Sequence, residues 1–227
     1  MSIGILNEGP LHAALKAMYA ANGGAEEVKV ESFVADAVRN GVMYEIQTGS
    51  FSGLSRKMTA LAETGPVVLI HPIARNKTIV KQPASAAGKQ ERRRSPKHGQ
   101  LIHIVRELVY LPHLLNHPNF SVEVLLTEEL EIRHYDPKKN RRRGGWRVAE
   151  RHLLALGESM RINAVTDLYE FLEAELEEPF STKALALALR QPIDIAQKMA
   201  YCLRQAGVTQ VVGKQGNALL YSAAEGS

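Results

Sequence analysis

The chain has 227 residues, with 28 Lys and Arg against 24 Asp and Glu, a formal net charge of +4 at pH 7. A hydrophobic content of 45% and a charged content of 23% are enough to bury a core, and exclude wholesale disorder, a collagen repeat or a disulfide scaffold. Cys202 is the single cysteine, so an internal disulfide and a cysteine-rich zinc site are both excluded; on its helical pattern it reads as a small buried apolar residue.

The N-terminus opens without a basic leader segment. The longest apolar run, over 66–74, is interrupted by His71 and Pro72 and falls short of the roughly 20 residues a membrane helix needs. The expectation is a soluble, cytoplasmic protein with no membrane partner. In chain order, a helix is expected over 7–21, capped by Asn7, with Pro10 in its first turn and Gly23-Gly24 after its end. Strands are expected over 28–38 and 42–48, the first with a break near Ser32. A helix follows on the spacing of Phe51, Leu54, Met58 and Leu61, and then a buried strand over 67–73.

Further along, 82–99 is polar and basic and reads as a long loop, 101–115 as a helix, 122–135 as a strand or strand pair, 136–147 as a second basic loop, and 148–156 as a helix. Beyond it, 164–177 reads as an acidic amphipathic helix. Ser181 caps a short helix to about 189, another spans 193–206, and strands at 208–212 and 218–222 flank a Gly-rich turn. Three helices and a hairpin in this order form the winged helix-turn-helix pattern. The domain expectation is therefore an α/β unit over 1–157, with basic loops 82–99 and 136–147, and a small winged-helix unit over 160–227.

The stretch around Asn40-Gly41 carries the chemistry. Both residues accept the positive φ of a type I′ turn, which makes this pair a strong hairpin signal. If they form the turn, Asp36 lies opposite Glu45, with Cβ atoms roughly 4.5–5.5 Å apart, and Gln47 points from the same face. Met43 and Ile46 read as the opposite, buried face. Two carboxylates that close repel by roughly 3 kcal/mol at an effective dielectric near 20. A hard divalent cation between them resolves the conflict, since Mg²⁺ binds through one or two carboxylates and keeps several waters. Such a pair suits metal-assisted hydrolysis, with Gln47 able to offer its amide to metal, water or phosphate. Glu8 lies on the inward stripe of the first helix with Leu11, Leu15, Met18 and Tyr19, and Lys57 flanks the stripe of the next helix.

Glu8, then Asp36, then Glu45-Ile46-Gln47 on the following strand, then an amphipathic helix, resembles the PD-(D/E)XK, or restriction-endonuclease-like, nuclease superfamily over about residues 7–73. Gln47 stands where that family usually has Lys. The resemblance implies an α/β core of mixed central sheet flanked by helices. It also implies Mg²⁺ or Mn²⁺ held by Asp36 and Glu45, catalytic roles for Gln47 and Lys57, and an auxiliary acid in Glu8. The function expected is a metal-dependent DNA endonuclease hydrolysing phosphodiester bonds. The alternative is a catalytically inactive nuclease fold that binds DNA or regulates transcription through its winged helix.

Charge distribution points to the same partner. Residues 1–157 hold 22 basic and 15 acidic residues, whereas 158–227 hold six and nine. Arg92, Arg93, Arg94 and Lys97 in the first loop are expected to meet phosphates, as are Lys138, Lys139, Arg141, Arg142, Arg143 and Arg147 in the second. Trp146 among them suits stacking on a base. In the C-terminal unit, Lys198, Arg204 and Lys214 are candidates for a groove contact, and a homodimer or protein partner is a further expectation there.

Overall fold

The computed structural model describes residues 8–83, 88–138 and 144–224. Asn7 and the predicted contacts Lys139, Arg141, Arg142 and Arg143 lie outside them.

Helix α1 (Pro10–Ala20) starts at Gly9 with Pro10 in its first position, where no N–H is missed, and buries Leu11, Leu15 and Tyr19 at four-residue spacing. An antiparallel meander follows: β1 (Ala25–Val30), β2 (Phe33–Arg39) and β3 (Val42–Ile46). The break near Ser32 is a two-residue turn, and Asn40 and Gly41 hold φ of 52° and 77°, as a type I′ turn requires. Helix α2 (Ser55–Thr64) crosses over so that β4 (Val67–Gln82) pairs parallel with β3. β4 then pairs parallel with β6 (Phe120–Tyr135), and β6 antiparallel with β7 (Trp146–Ile162). A short β5 (Glu91–Arg94) also pairs with β4, so the described residues form a mixed seven-stranded sheet in the order β1-β2-β3-β4-β6-β7.

Two apolar clusters cover the sheet. One lies under α1 and includes Leu11, Leu15, Tyr44, Ile46, Val68 and Ile70. The larger joins Met43, Met58, Leu61 and Leu69 to α3 (Val105–Leu108) and to the C-terminal helices through Leu185, Ile195 and Met199. Met43 thus belongs with α2 and Ile46 with α1. They do not share one buried face as expected, and both sides of β3 are covered.

The C-terminal part contains β8 (Phe180–Ser181), α4 (Thr182–Ala188), α5 (Ile193–Gln205), β9 (Thr209–Gln215) and β10 (Ala218–Ala223), with a three-stranded sheet in the order β8-β10-β9. The Ser181 hydroxyl accepts a hydrogen bond from the Ala184 N–H at 3.2 Å, the N-cap its position predicts. This part is fastened to the rest by the shared core and by Asn116, whose amide donates to Ala206 O at 3.0 Å and whose oxygen accepts from the Val165 N–H at 3.1 Å.

Four expected elements differ. Residues 148–156 are strand, because β7 is held by a ladder to β6 that outweighs the helix propensity of its Ala, Leu and Glu residues. Three register irregularities along that ladder interrupt the two-residue alternation that would mark a strand. The expected helix over 101–115 is broken into 3-10 turns around the four residues of α3, since Pro112 lacks an N–H and pushes Leu111 out of helical φ and ψ. The acidic helix over 164–177 is reduced to a 3-10 turn, Val165–Phe171, with Asp167 accepting from the Asn163 and Ala164 N–H groups. Within 82–99, expected as loop, Arg92, Arg93 and Arg94 sit on β5, exposed at the sheet edge beside β4.

Candidate active site

The register that pairs Ala37 with Tyr44 places Asp36 beside Glu45. The Asp36 carboxylate accepts the Ile46 N–H at 2.7 Å and lies 3.2 Å from Nε2 of His12. His12 in turn places Nδ1 2.6 Å from Glu8, whose other oxygen accepts from Lys16 at 2.8 Å. Glu8 therefore reaches Asp36 through an imidazole rather than directly. From the other side, α2 brings the Lys57 ammonium onto Oε1 of Glu45. Gln47 is turned into the following loop, where its Nε2 donates to Ser50 O at 2.6 Å.

The environments of the two carboxyls differ. Burial alone raises Asp36, but hydrogen bonds from His12 and the Ile46 N–H, with the Lys57 charge, outweigh it and hold the group below its ordinary value. Burial and repulsion from Asp36 push Glu45 up to about 7, against the pull of Lys57. Burial lowers His12, yet hydrogen bonds and charge from Asp36 and Glu8 together more than reverse it and raise the imidazole above its ordinary value. A pair of carboxyls driven apart in this way is an arrangement that acid–base sites use.

Oε2 of Glu45 is buried with no hydrogen-bond partner. An orphaned carboxylate oxygen beside a second carboxylate fits a hard cation that binds through one or two carboxylates. To that extent the donor set suits Mg²⁺ or Mn²⁺, although among the described residues no group of three or more His, Cys, Asp or Glu is gathered about one point.

The predicted nucleic-acid contacts are dispersed. Arg92 and Arg94 are exposed on β5, and Arg93 lies 3.9 Å from Glu91. Lys138 is exposed, and Arg147 lies 3.8 Å from Asp136. Trp146 packs on Tyr135 with ring centroids 5.2 Å apart, and the Lys81 ammonium sits 5.1 Å over its ring, so the indole is engaged within the protein. On α5, Tyr201 and Arg204 are exposed and Lys198 is half-buried; Lys214 is exposed on β9.

A family model described as a domain of unknown function, DUF8091, matches residues 9–163. The chain belongs to this DUF8091 family. The matched region runs from α1 to the end of β7, so it contains Asp36, Glu45, Lys57 and His12. A protein of Treponema pallidum (strain Nichols), described as "Uncharacterized protein", is 28% identical over 187 residues, covering 82% of this chain and 74% of its own length. No solved structure matches. Among the described residues no helix is long and apolar enough to cross a membrane.

The reasoning from sequence missed His12 and Lys16. Glu8, expected on the inward stripe of the helix, instead lies just before the Gly9 N-cap and is exposed; its carboxylate reaches His12 in the first turn of α1, and the four-residue spacing was the available signal. It also missed the buried pair Glu129–Arg151. Arg151 donates to Glu129 at 2.9 and 2.8 Å and to Thr48 O at 2.8 Å, tying β7 to the end of β3.

Proposed function

We propose that this protein is a metal-dependent DNA endonuclease that hydrolyses phosphodiester bonds, acting in the cytoplasm. The proposed architecture is a restriction-endonuclease-like core followed by a winged helix-turn-helix unit. The observation that carries this reading is Glu45: a buried carboxyl with an unpartnered oxygen, set beside Asp36 on the neighbouring strand and held by a lysine from the next helix. The order helix, three antiparallel strands, helix, parallel strand supports the family resemblance.

On this reading Asp36 and Glu45 hold Mg²⁺ or Mn²⁺, which supplies a nucleophilic water at neutral pH and charge for the phosphoryl oxygens. Lys57 spends one of its donors on Glu45 and keeps others for a phosphate oxygen. Gln47, its amide nitrogen engaged by Ser50, retains its amide oxygen to accept a hydrogen bond from water. Glu8 serves as a positioning residue, orienting His12 on Asp36. Arg92, Arg94 and Lys97 offer phosphate contacts. The outward face of α5, with Lys198, Tyr201 and Arg204, meets the duplex while Lys214 follows from the hairpin.

Plasmid and linear DNA incubated with Mg²⁺ or Mn²⁺ test this directly. Cleavage by the native protein and its loss in Glu45→Ala are expected; cleavage that persists in the variant overturns the assignment. A second reading has one observation in its favour, the engagement of Gln47 with Ser50 where the family carries a lysine. On that reading the core has lost catalysis and the C-terminal unit binds DNA or a protein partner. DNA binding without cleavage, in both native protein and variant, selects it.

A further inference from the structure

A cavity of 680 Å³ lies between β4, the 95–99 segment, α3 and the β6–β7 ladder. Its lining includes Lys77, Lys97, Arg106, Arg133 and Arg151, and no Asp or Glu. Two carboxylates hold most of these cations from outside the cavity. Glu129, fully buried, accepts from Arg151 and from the Thr127 hydroxyl at 2.9 Å. Glu131, 4% exposed, accepts from Lys77 at 2.9 Å and from Nε of Arg133 at 2.6 Å. Two acids thus anchor three bases.

The remaining two bases add to the excess. Lys97 has no carboxylate partner among the described residues, and Arg106 meets only Asp194, an exposed contact at 3.2 Å. The wall opposite is held close by Gly99, whose N–H donates to Ala74 O at 3.0 Å. A β-carbon there would stand 2.6 Å from that oxygen. Clustered cations, three of them held by buried carboxylates, in a concavity of ligand-pocket size, roughly 300–1,000 Å³, recognise anionic oxygens. The lining has no Phe, Tyr or Trp, and its two imidazoles, His98 and His103, are outnumbered by five Lys and Arg side chains, so the dominant chemistry is that of phosphate recognition.

We infer that this cavity binds the phosphates of a nucleotide-sized ligand, either the backbone of a nucleic-acid strand or a free nucleoside polyphosphate. Arg151 both lines the cavity and donates to Thr48 O, one residue beyond Gln47, so a strand held here runs beside the candidate metal site. Choosing the strand rests on the endonuclease reading; the phosphate chemistry does not.

The test is fluorescence anisotropy at low salt with EDTA, using the full chain and a labelled oligothymidylate, with ATP and tripolyphosphate as competitors. The paired substitution Lys97→Glu with Arg106→Gln leaves the buried carboxylates partnered and sets no new acid beside Asp194, so its fold is preserved. It is expected to weaken binding at least about tenfold with an unchanged Tm, whereas Lys29→Glu on β1 has no effect. Displacement only by unlabelled oligonucleotide assigns the strand, and displacement by ATP or tripolyphosphate at comparable concentrations assigns the free nucleotide. Equal affinity in the paired variant and the native protein overturns the inference, as does no binding of any of the three probes. EDTA keeps cleavage out of the assay. Binding that depends on Lys97 and Arg106 in a protein inactive with every metal therefore removes the endonuclease reading and leaves the cavity assignment standing.

Discussion

Lys57, on α2, hydrogen-bonds the Glu45 carboxylate on β3, so the crossover helix supplies the cation that β3 lacks at Gln47. The parallel pairing of β3 with β4 makes this contact possible, because it requires α2 to pack back across the end of β3.

On the endonuclease reading, replacing Lys57 by Met is expected to lower metal-dependent cleavage by about 10²-fold, the usual scale for one charge-stabilising donor. Adding Gln47→Lys to that variant should restore part of the rate, since position 47 lies at the end of the same strand. Initial rates on supercoiled plasmid measure both effects. A double variant no faster than the single one denies that the two positions share a role.

Glu45 makes folding stability depend on pH. Its folded value of about 7 lies above the ordinary 4.5, so the native state favours the protonated form. The Glu45 contribution is fully present below about pH 4.5 and is lost as pH rises through 7. Glu45→Gln cannot ionise, so in EDTA its advantage over the native protein should grow between pH 5 and 7 and level off above that. The plateau should be on the order of 3 kcal/mol. Urea unfolding at pH 5 and pH 8 checks the sign; equal differences at the two values contradict a raised Glu45.

Arg151, on β7, joins β6 and the loop after β3 in one set of hydrogen bonds, to Glu129 and to Thr48 O. Its removal leaves a fully buried carboxylate without its main partner, which typically costs about 3–5 kcal/mol. Arg151→Ala should therefore show a large fall in urea midpoint. Arg151→Lys should recover little, because an ammonium cannot bridge both carboxylate oxygens and the Thr48 carbonyl.

Both functional readings allow α5 to contact DNA, and the second also allows it a protein partner. If the C-terminal unit holds DNA through phosphates, Lys198→Glu and Arg204→Glu should each weaken binding evenly across sequences and reduce the salt slope by about one. Titrations at several salt concentrations give that slope. Unchanged slopes would move DNA binding off α5 and leave this face to a protein partner.

What was legible in the residues is local. Asn40-Gly41 specifies its own turn, and once that turn exists the register of Asp36 and Glu45 follows by counting. The Ser181 cap and the two helices after it were equally readable, each being set by neighbours within a few positions. β7 was not, because the irregularities along its ladder scramble the two-residue alternation and its strand state comes from pairing with the preceding β6 rather than from its own residues. The basic run at Arg92–Arg94 looked like loop for a related reason: its strand character comes entirely from β4.

The opening charge of +4 hid a basic first part and an acidic second part, and that division can be counted from the chain alone. Composition and turn chemistry likewise determined an α/β protein with a paired carboxylate on one hairpin. Only the tertiary structure decided which charges meet. It seats Lys57 on Glu45, places His12 between Glu8 and Asp36, and buries Glu129 under Arg151. These partners lie on different elements or reach across them. Their contacts arise when the sheet and its helices close together, and burial then makes each pairing obligatory, since an unpaired charge there is too costly to leave.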